Sequence, residues 1–244
     1  MRLSYINLIN DATLSSDNEN ANYPLTALKD IHLTNAFRFD DLTGGYIDID
    51  LGSAKDVSTV GIIGNVSLTG TITLKGNSTE SWAAPALEES VTIANRNLLH
   101  YFTSANYRYW RIEITDASNP DGYIEINKIF LGEYVQLPGV STDYSFEDGS
   151  LSDRQFSPTG QPFSVVRPQR LRLDFTFPAM STSDREAIRT AYQTNGIHTP
   201  MWLAVWEESF DVQEPVYVLF EESTLSWARV GFAWTTNISF VESR

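Results

Sequence analysis

The stretch Tyr46-Ile47-Asp48-Ile49-Asp50-Leu51 alternates in polarity and ends at Gly52. Strict alternation is typical of a β-strand with one buried and one wet face, because successive side chains of a strand point to opposite sides of the sheet. A few residues later, Val57-Ser58-Thr59-Val60-Gly61-Ile62-Ile63 is apolar more continuously, which predicts a fully buried strand. A half-buried strand followed by a buried strand indicates layers of β-sheet around one core.

Further segments of the first half follow the same period of two. In residues 107–114, Arg108, Trp110, Ile112 and Ile114 share one face, while Tyr109, Arg111 and Glu113 share the other. Other strands are predicted at residues 69–76, 123–126 and 128–132, and turn-forming clusters separate them at residues 40–45, 76–78 and 118–122. Residues 1–135 are therefore predicted to form an antiparallel β-sandwich.

A Pro-Gly boundary at Pro138-Gly139 precedes the second half of the chain. Residues 136–170 are predicted to form a linker or an extended hairpin arm, in which the pair Asp148-Gly149 suits a tight turn. Residues 171–244 are predicted to form a second β domain, whose first strand places Leu171, Leu173, Phe175 and Phe177 on one face.

One α-helix is predicted at about residues 181–195. Ser183 and Glu186 have the spacing of a capping box, and Asn195-Gly196 ends the helical pattern. Strands follow at residues 200–206, 216–220, 225–230 and 232–240, which predicts a β-sandwich or split barrel with one flanking helix. Trp202, Trp206 and Trp234 are predicted to pack the core of this second domain.

The composition limits the partners of the chain. The 244 residues carry a net charge of −14 and contain no cysteine, so disulfides are excluded and sequence-specific binding to nucleic acid is disfavoured. The acidic residues either keep the chain in solution or lie along a face past which polyanions slide. The first residues lack the apolar region of a signal peptide, and no stretch approaches a membrane span. We therefore expect no membrane insertion.

No residues assemble a recognisable catalytic motif in the sequence. His32, His100 and His198 are scattered and have no partner at metal or triad spacing. The pairs Glu207-Glu208 and Glu221-Glu222 are the obvious carboxylates for a glycosidase, but neighbouring side chains of a strand point to opposite faces and cannot flank one bond. We therefore predict a binding or structural protein and not an enzyme.

An ordered series of segments in residues 1–135 resembles the discoidin, or galactose-binding-like, domains. The series runs through residues 22–30, the aromatic stretch Phe37-Arg38-Phe39, the strands at 46–52 and 57–62, Arg108-Tyr109-Trp110-Arg111-Ile112, and the closing strand at 126–132. The resemblance implies a jelly-roll β-sandwich that can bind glycans, with Tyr23, Trp82 and Tyr123 as loop aromatics for stacking on a sugar. Trp82 has the alternative of being a core anchor.

The resemblance also implies a structural calcium near the first loop, with an acidic ligand from the closing strand. That position falls on Asn127 or Lys128, and a lysine would repel the ion. Asp30, Thr34 and Glu125 are the remaining oxygen candidates. The prediction is no cofactor, with calcium as the alternative.

The second domain resembles the tail-tube-like domains of tailed-phage tail proteins. The resemblance rests on the strand at 171–177, the capped helix that starts at 181–186 and the final strand that ends at 237–242. Together, the two resemblances imply a distal tail or baseplate protein. It would form a ring (trimer or hexamer), contact tail-tube, hub or fibre proteins, and reside in the virion after assembly in the host cytoplasm. The alternative is a carbohydrate-binding module or adhesin domain, with a host surface glycan as its partner.

Overall fold

The computed structural model describes residues 1–41, 44–64, 68–93, 97–137, 144–150, 153–165, 169–205 and 215–243. As predicted, the chain is mostly β-structure, with antiparallel sheets and one α-helix among these residues. The helix is α1 (Thr182–Asn195), and two short 3-10 helices span Leu8–Asn10 and Leu25–Lys29. The strands are β1 (Arg2–Ser4), β2 (Thr13–Ser16), β3 (Phe37–Arg38), β4 (Gly45–Gly64), β5 (Thr71–Asn77), β6 (Leu87–Val91), β7 (Asn97–Thr115), β8 (Glu125–Gly132), β9 (Val135–Gln136), β10 (Tyr144–Ser150), β11 (Asp153–Phe156), β12 (Pro162–Val165), β13 (Gln169–Met180), β14 (Met201–Ala204), β15 (Val216–Phe220), β16 (Ala228–Val230) and β17 (Ala233–Glu242).

The chain divides into two compact units. The large unit comprises Arg2–Gln136 and Trp202–Val216. The small unit comprises Met1, Leu137–Met201 and Tyr217–Arg244. Each unit is described by itself below.

The main sheet of the large unit has the strand order β3-β8-β4-β7-β5-β6, and β2 pairs with residues 47–50 of β4. β4 is twenty residues long and joins the two strands predicted at residues 46–51 and 57–63. Residues 46–50 of β4 alternate in burial and its last eight residues are all buried, as the two patterns predicted. The core contains Ile47, Ile49, Trp110 and Ile112, each of which is at most 1% exposed.

Strand β1 joins distant parts of the chain within the large unit. β1 pairs antiparallel with β14, so that Leu3 lies opposite Leu203, and also with β9, so that Leu3 lies opposite Val135. Trp202 on β14 is 1% exposed. We predicted it in the core of the second domain, but its indole lies against Gly61 of β4. Trp206 lies outside the described residues.

Within the small unit, the strand order is β10-β13-β17-β15, and β16 pairs with β17. Leu173, Phe175 and Phe177 of β13 are buried together with Phe220 and Phe240. This confirms the face predicted from their alternation. β10 pairs with β13 over seven residues, and β11 with β12 forms a hairpin. The predicted turn at Asp148-Gly149 is wrong, because both residues lie within β10 and pair with β13.

Helix α1 occupies the predicted position, but a different pair of residues caps it. Ser181 is the N-cap, and its hydroxyl accepts from the backbone N–H of Asp184 while the Asp184 carboxylate accepts from the Ser181 N–H. The capping box predicted at Ser183 and Glu186 is therefore wrong by two residues, because the chain is already helical at Thr182. Gly196 follows the helix with a positive φ of 55°.

Candidate functional site

The candidate site lies in the large unit, where three segments are joined by backbone hydrogen bonds. The N–H of Asn20 donates to the carbonyl of Arg38 (3.0 Å), and the N–H of Arg38 donates to the carbonyl of Tyr23 (3.2 Å). In the β3–β8 pair, Arg38 lies opposite Glu125. This local backbone pairing brings Tyr23, Arg38, Tyr123 and Glu125 together, although they are far apart in the sequence.

The guanidinium of Arg38 organises these side chains. Its central carbon lies 3.9 Å from the centre of the Tyr23 ring and 3.9 Å from that of Tyr123. Its Nε and Nη2 atoms contact Glu125 Oε2 at 2.7 and 2.6 Å. The side chains of Arg38 and Glu125 are only 24% and 19% exposed. The two tyrosines are thus held in fixed orientations by cation–π contacts, and Glu125 is engaged in an ion pair.

Tyr23 also forms one wall of a surface depression of about 500 Å³. The 3-10 helix Leu25–Lys29 and the loop that follows it form the rest of the depression. The described residues that line it are Asn22, Tyr23, Pro24, Thr26, Ala27, Asp30, Thr34, Asn35 and Ala36. Among the described residues, the lining thus combines one aromatic ring with hydroxyl, amide and carboxylate groups, and Asp30 is the charged one.

The Asp30 carboxylate is fixed at the edge of this depression. Its Oδ1 accepts from the backbone N–H of His32 at 3.0 Å, and its Oδ2 accepts from the side-chain amide of Asn35. These hydrogen bonds, that of His32 first, lower the pKa of Asp30 below its ordinary value. Asp30 is therefore an ionised acceptor at neutral pH.

The loop behind Asp30 is held by two buried side chains of β8. Lys128 is 4% exposed, and its Nζ donates to the backbone carbonyl of Asp30 at 2.7 Å. Asn127 is 6% exposed and donates its amide to the carbonyl of Leu33 at 3.0 Å. Burial lowers the pKa of Lys128, while the charge of Asp30 acts in the opposite direction.

The calcium candidates do not come together as a set. Asp30 and Thr34 line the depression, whereas Glu125 is paired with Arg38. The Lys128 ammonium already donates a hydrogen bond to the Asp30 carbonyl. Its positive charge repels a divalent cation at that oxygen. Across the described ranges, no group of three His, Asp or Glu residues is arranged to hold a metal ion. The residues present do not fit calcium at this loop.

Trp82 lies at a different place, against Arg111 of β7. The Arg111 guanidinium stacks 3.5 Å from the Tyr46 ring and 4.9 Å from the Trp82 ring, and it donates to both oxygens of Asp48 at 2.6 and 2.7 Å. Trp82 Nε1 is buried and has no hydrogen-bond partner among the described residues. Of the three aromatic candidates, the structure thus brings Tyr23 and Tyr123 together on one arginine and keeps Trp82 apart.

Sequence reasoning missed the residue that organises the site. In the sequence analysis, Arg38 was named only as part of the aromatic stretch Phe37-Arg38-Phe39. An arginine between two phenylalanines, with tyrosines in nearby loops, is a pattern that indicates stacking of the guanidinium on aromatic rings. Asn22 and Asn35 were also missed, because loop asparagines are common in turns and no periodicity marks them. Their role depends on the shape of the loop.

The described lining of the depression offers groups that can form hydrogen bonds and stack against a ligand. Asp30 is the single acidic side chain among the described lining residues, and glycoside hydrolysis needs a pair of carboxyl groups. Elsewhere, Glu221 is paired with Arg172 at 2.9 Å, and His100 Nε2 lies 3.5 Å from Glu89. The pair Glu207-Glu208 lies outside the described residues. Among the described residues, no helix has the length and apolar composition needed to cross a membrane.

Comparisons with known proteins give only remote structural similarities. No protein-family model and no curated protein matches the chain. Chitosan-binding module 1 of a chitosanase/glucanase from Paenibacillus sp. IK-5 has a TM-score of 0.45 and 16% identity, over 52% of this chain and 99% of the module. The family 32 CBM of C. perfringens NanJ, solved in complex with galactose, has a TM-score of 0.43 and 14% identity, over 55% of this chain and 100% of that chain.

A mutant of the lectin binding domain of lectinolysin, complexed with Lewis b, has a TM-score of 0.44 and 13% identity, over 53% of this chain and 96% of that chain. Each similarity covers about half of this chain and nearly all of the solved domain. With TM-scores below 0.5, they assign neither a family nor a ligand to this chain.

Proposed function

We propose that the chain is a non-catalytic binding protein, whose large unit binds saccharides in the depression beside Tyr23. The observation that carries this proposal is the lining itself: one immobilised aromatic ring surrounded by hydroxyl, amide and carboxylate groups. Saccharides present apolar C–H faces and rims of hydroxyls, so their recognition needs an aromatic surface together with hydrogen-bonding groups.

The stacked Arg38 supports binding by fixing Tyr23 before a ligand arrives. A side chain that is already ordered loses little conformational freedom on binding, which favours affinity. Tyr23 also shares Arg38 with Tyr123, and the Glu125 ion pair locks the guanidinium between the rings. The aromatic wall is therefore preorganised.

The charge of the depression selects among saccharides. Asp30 is ionised and accepts hydrogen bonds, so hydroxyl groups and the ammonium of an amino sugar suit it. A carboxylated or sulfated saccharide would be repelled by Asp30 and by the net charge of −14. The proposed ligands are neutral or amino saccharides.

A glycan microarray tests this function with the full chain. The wild type should bind neutral or amino glycans and ignore their sialylated counterparts. Tyr23→Ala, which removes the wall, and Asp30→Asn, which removes the charge, should each lower binding about ten-fold or more. Trp82→Ala is the matched control and should bind as the wild type does. Loss of binding in Trp82→Ala alone, or no binding by the wild type to any glycan, would refute the proposal.

A second candidate function is supported by the small unit. Phe232 is 98% exposed and Phe156 is 66% exposed, each on a β-hairpin of this unit. A large apolar side chain left in solvent keeps its surface available for burial by another protein. We infer as the second candidate a structural subunit of a phage tail tip or baseplate, a distal tail-type protein that forms rings in the virion and contacts tube, hub or fibre proteins.

Light scattering combined with negative-stain images tests the second candidate. A ring of three-fold or six-fold symmetry formed by the purified protein, or its presence in phage particles, would support it. A monomer at every concentration that also fails to associate with particles would refute it.

A further inference from the structure

The β16–β17 hairpin of the small unit presents an apolar tip to solvent. Val230 pairs with Ala233, so Gly231 and Phe232 form a two-residue turn, and Gly231 has the positive φ of 63° that such a turn requires. Phe232 is 98% exposed and Val230 is 64% exposed. A fully exposed phenylalanine gains nothing from the fold of its own chain, so its burial remains available to a partner.

The base of this hairpin is held firmly. Arg229 lies opposite Trp234 in the strand pair, and the Arg185 guanidinium lies 4.2 Å from the centre of the Trp234 ring. Thr236 on β17 donates its hydroxyl to the Ser226 carbonyl at 2.7 Å. The tip is therefore presented by an ordered hairpin, and the exposed Arg229, whose guanidinium lies 5.8 Å from the centre of the Trp234 ring, adds a positive charge to the same hairpin.

A cavity of about 340 Å³ lies in the large unit, between the segment that follows β1 and the segment that joins β8 to β9. Ile6, Leu8 and Val135 supply apolar surface, and Ile6 is 51% exposed. Tyr134 forms part of the wall and is fixed by Arg2, which lies 4.3 Å from the centre of its ring. The described residues that line the cavity are Tyr5, Ile6, Leu8, Lys55, Asp56, Gly132, Glu133, Tyr134 and Val135.

We propose that Phe232 of one copy of the chain inserts into this cavity of a second copy. The cavity has the size and the apolar lining to take one phenyl side chain, since it lies at the lower end of the volumes of small-ligand sites. The charges also match, because Glu133 and Asp56 outnumber Lys55 on the cavity wall and would face Arg229 of the incoming hairpin. A tip and a cavity at different places on one chain make a head-to-tail contact, which closes into a ring or continues as a filament.

This contact rests on the second candidate function and gives it a mechanism. It is independent of saccharide binding, because the described residues that line the Tyr23 depression and those that line this cavity are different. A failure of one proposal therefore leaves the other standing.

Mixing two single variants of the full chain tests the contact. Phe232→Ser removes the tip and keeps the cavity, while Ile6→Arg blocks the cavity and keeps the tip. Each variant alone should be monomeric by sedimentation at concentrations where the wild type assembles. The mixture should form a one-to-one dimer, because one intact contact is left. Phe156→Ser, which changes the other phenylalanine that is largely exposed among the described residues, is the control and should assemble as the wild type does.

A charge exchange keeps the test decisive if Ile6→Arg does not fold. Glu133→Arg should weaken assembly about ten-fold, and adding Arg229→Glu in the same chain should restore it. A wild type that stays monomeric, a Phe232→Ser variant that assembles normally, or a mixture without the dimer would overturn the proposal. If the Phe232→Ser variant still formed rings, the proposed contact would be refuted, but the second candidate function would still be supported.

Discussion

Replacement of Arg38 by alanine should destabilise the large unit by about 2–4 kcal/mol. Two cation–π contacts to Tyr23 and Tyr123 contribute about 0.5–1 kcal/mol each. The charged hydrogen bonds to Glu125 contribute about 1.5–3 kcal/mol. These contributions sum to about 2.5–5 kcal/mol, and the expected loss is somewhat smaller because both charged side chains keep some contact with water. Arg38→Lys keeps the charge but loses the planar stacking, and should cost about half as much.

Thermal unfolding of the full chain, followed by fluorescence, measures the effect of Arg38→Ala. For a chain of this size, about 2–4 kcal/mol corresponds to a fall in the midpoint of about 4–16 °C. Arg189→Ala is the matched control, because Arg189 is also ion-paired, to Glu186 at 3.3 Å, but is 48% exposed on α1. Arg189→Ala should lower the free energy of unfolding by at most about 0.5 kcal/mol. Equal effects of Arg38→Ala and Arg189→Ala, or full stability of Arg38→Lys, would refute the role assigned to the Arg38 stack.

Three other predictions concern the loop and the core of the large unit. Millimolar calcium or a chelator should leave the unfolding midpoint of the wild type unchanged, since Lys128 already binds the Asp30 carbonyl; a calcium-dependent rise in the midpoint would contradict this. Burial lowers the pKa of Lys128 in the folded chain below 10.5, its value in the unfolded chain. Between these two pKa values the unfolded chain binds more protons than the folded chain. The free energy of unfolding therefore rises with pH over this interval. Urea titrations should show this contribution in the wild type and not in Lys128→Met; parallel pH profiles would count against it. Gly61→Ala should lower the free energy of unfolding by about 1–3 kcal/mol, because the added Cβ would lie 2.6 Å from Trp202 Nε1. Gly149→Ala is the control and should leave the stability nearly unchanged, because the nearest atom to its Cβ lies at 3.6 Å.

Local periodicity was sufficient to predict much of the longest strands and the helix. The alternation in residues 46–51 and the apolar run in 57–63 both became parts of β4, because each pattern reflects which face of the strand is buried. The alternation of Leu173, Phe175 and Phe177 likewise matches their burial in β13. Such patterns are properties of short segments and need no knowledge of distant neighbours.

Features that depend on distant partners could not be predicted in this way. Leu3 pairs with Leu203, and the indole of Trp202 lies against Gly61, but no local pattern records which segment a short strand will join. The capping error at Ser183 had a different cause, since several polar residues in a row offer equivalent caps and tertiary packing selects among them.

The candidate site was predicted in its parts and not in its assembly. Tyr23 and Tyr123 were named as loop aromatics, but their common contact with Arg38 requires the β3–β8 pairing. Asp30 was named as a calcium candidate beside a prediction of no cofactor, and in the structure it is a carboxylate acceptor at the edge of the depression, with Lys128 bonded to its backbone carbonyl. The sequence pattern could not place that lysine, because its position depends on the register of β8.

A crystal structure of the full chain soaked with galactose or glucosamine tests saccharide binding most directly. The account predicts one sugar ring in the depression, stacked against Tyr23, with hydroxyl or amino groups bonded to Asp30 and to Asn22 or Asn35. A sugar bound elsewhere, or an empty depression at saturating concentrations of both sugars, would contradict it.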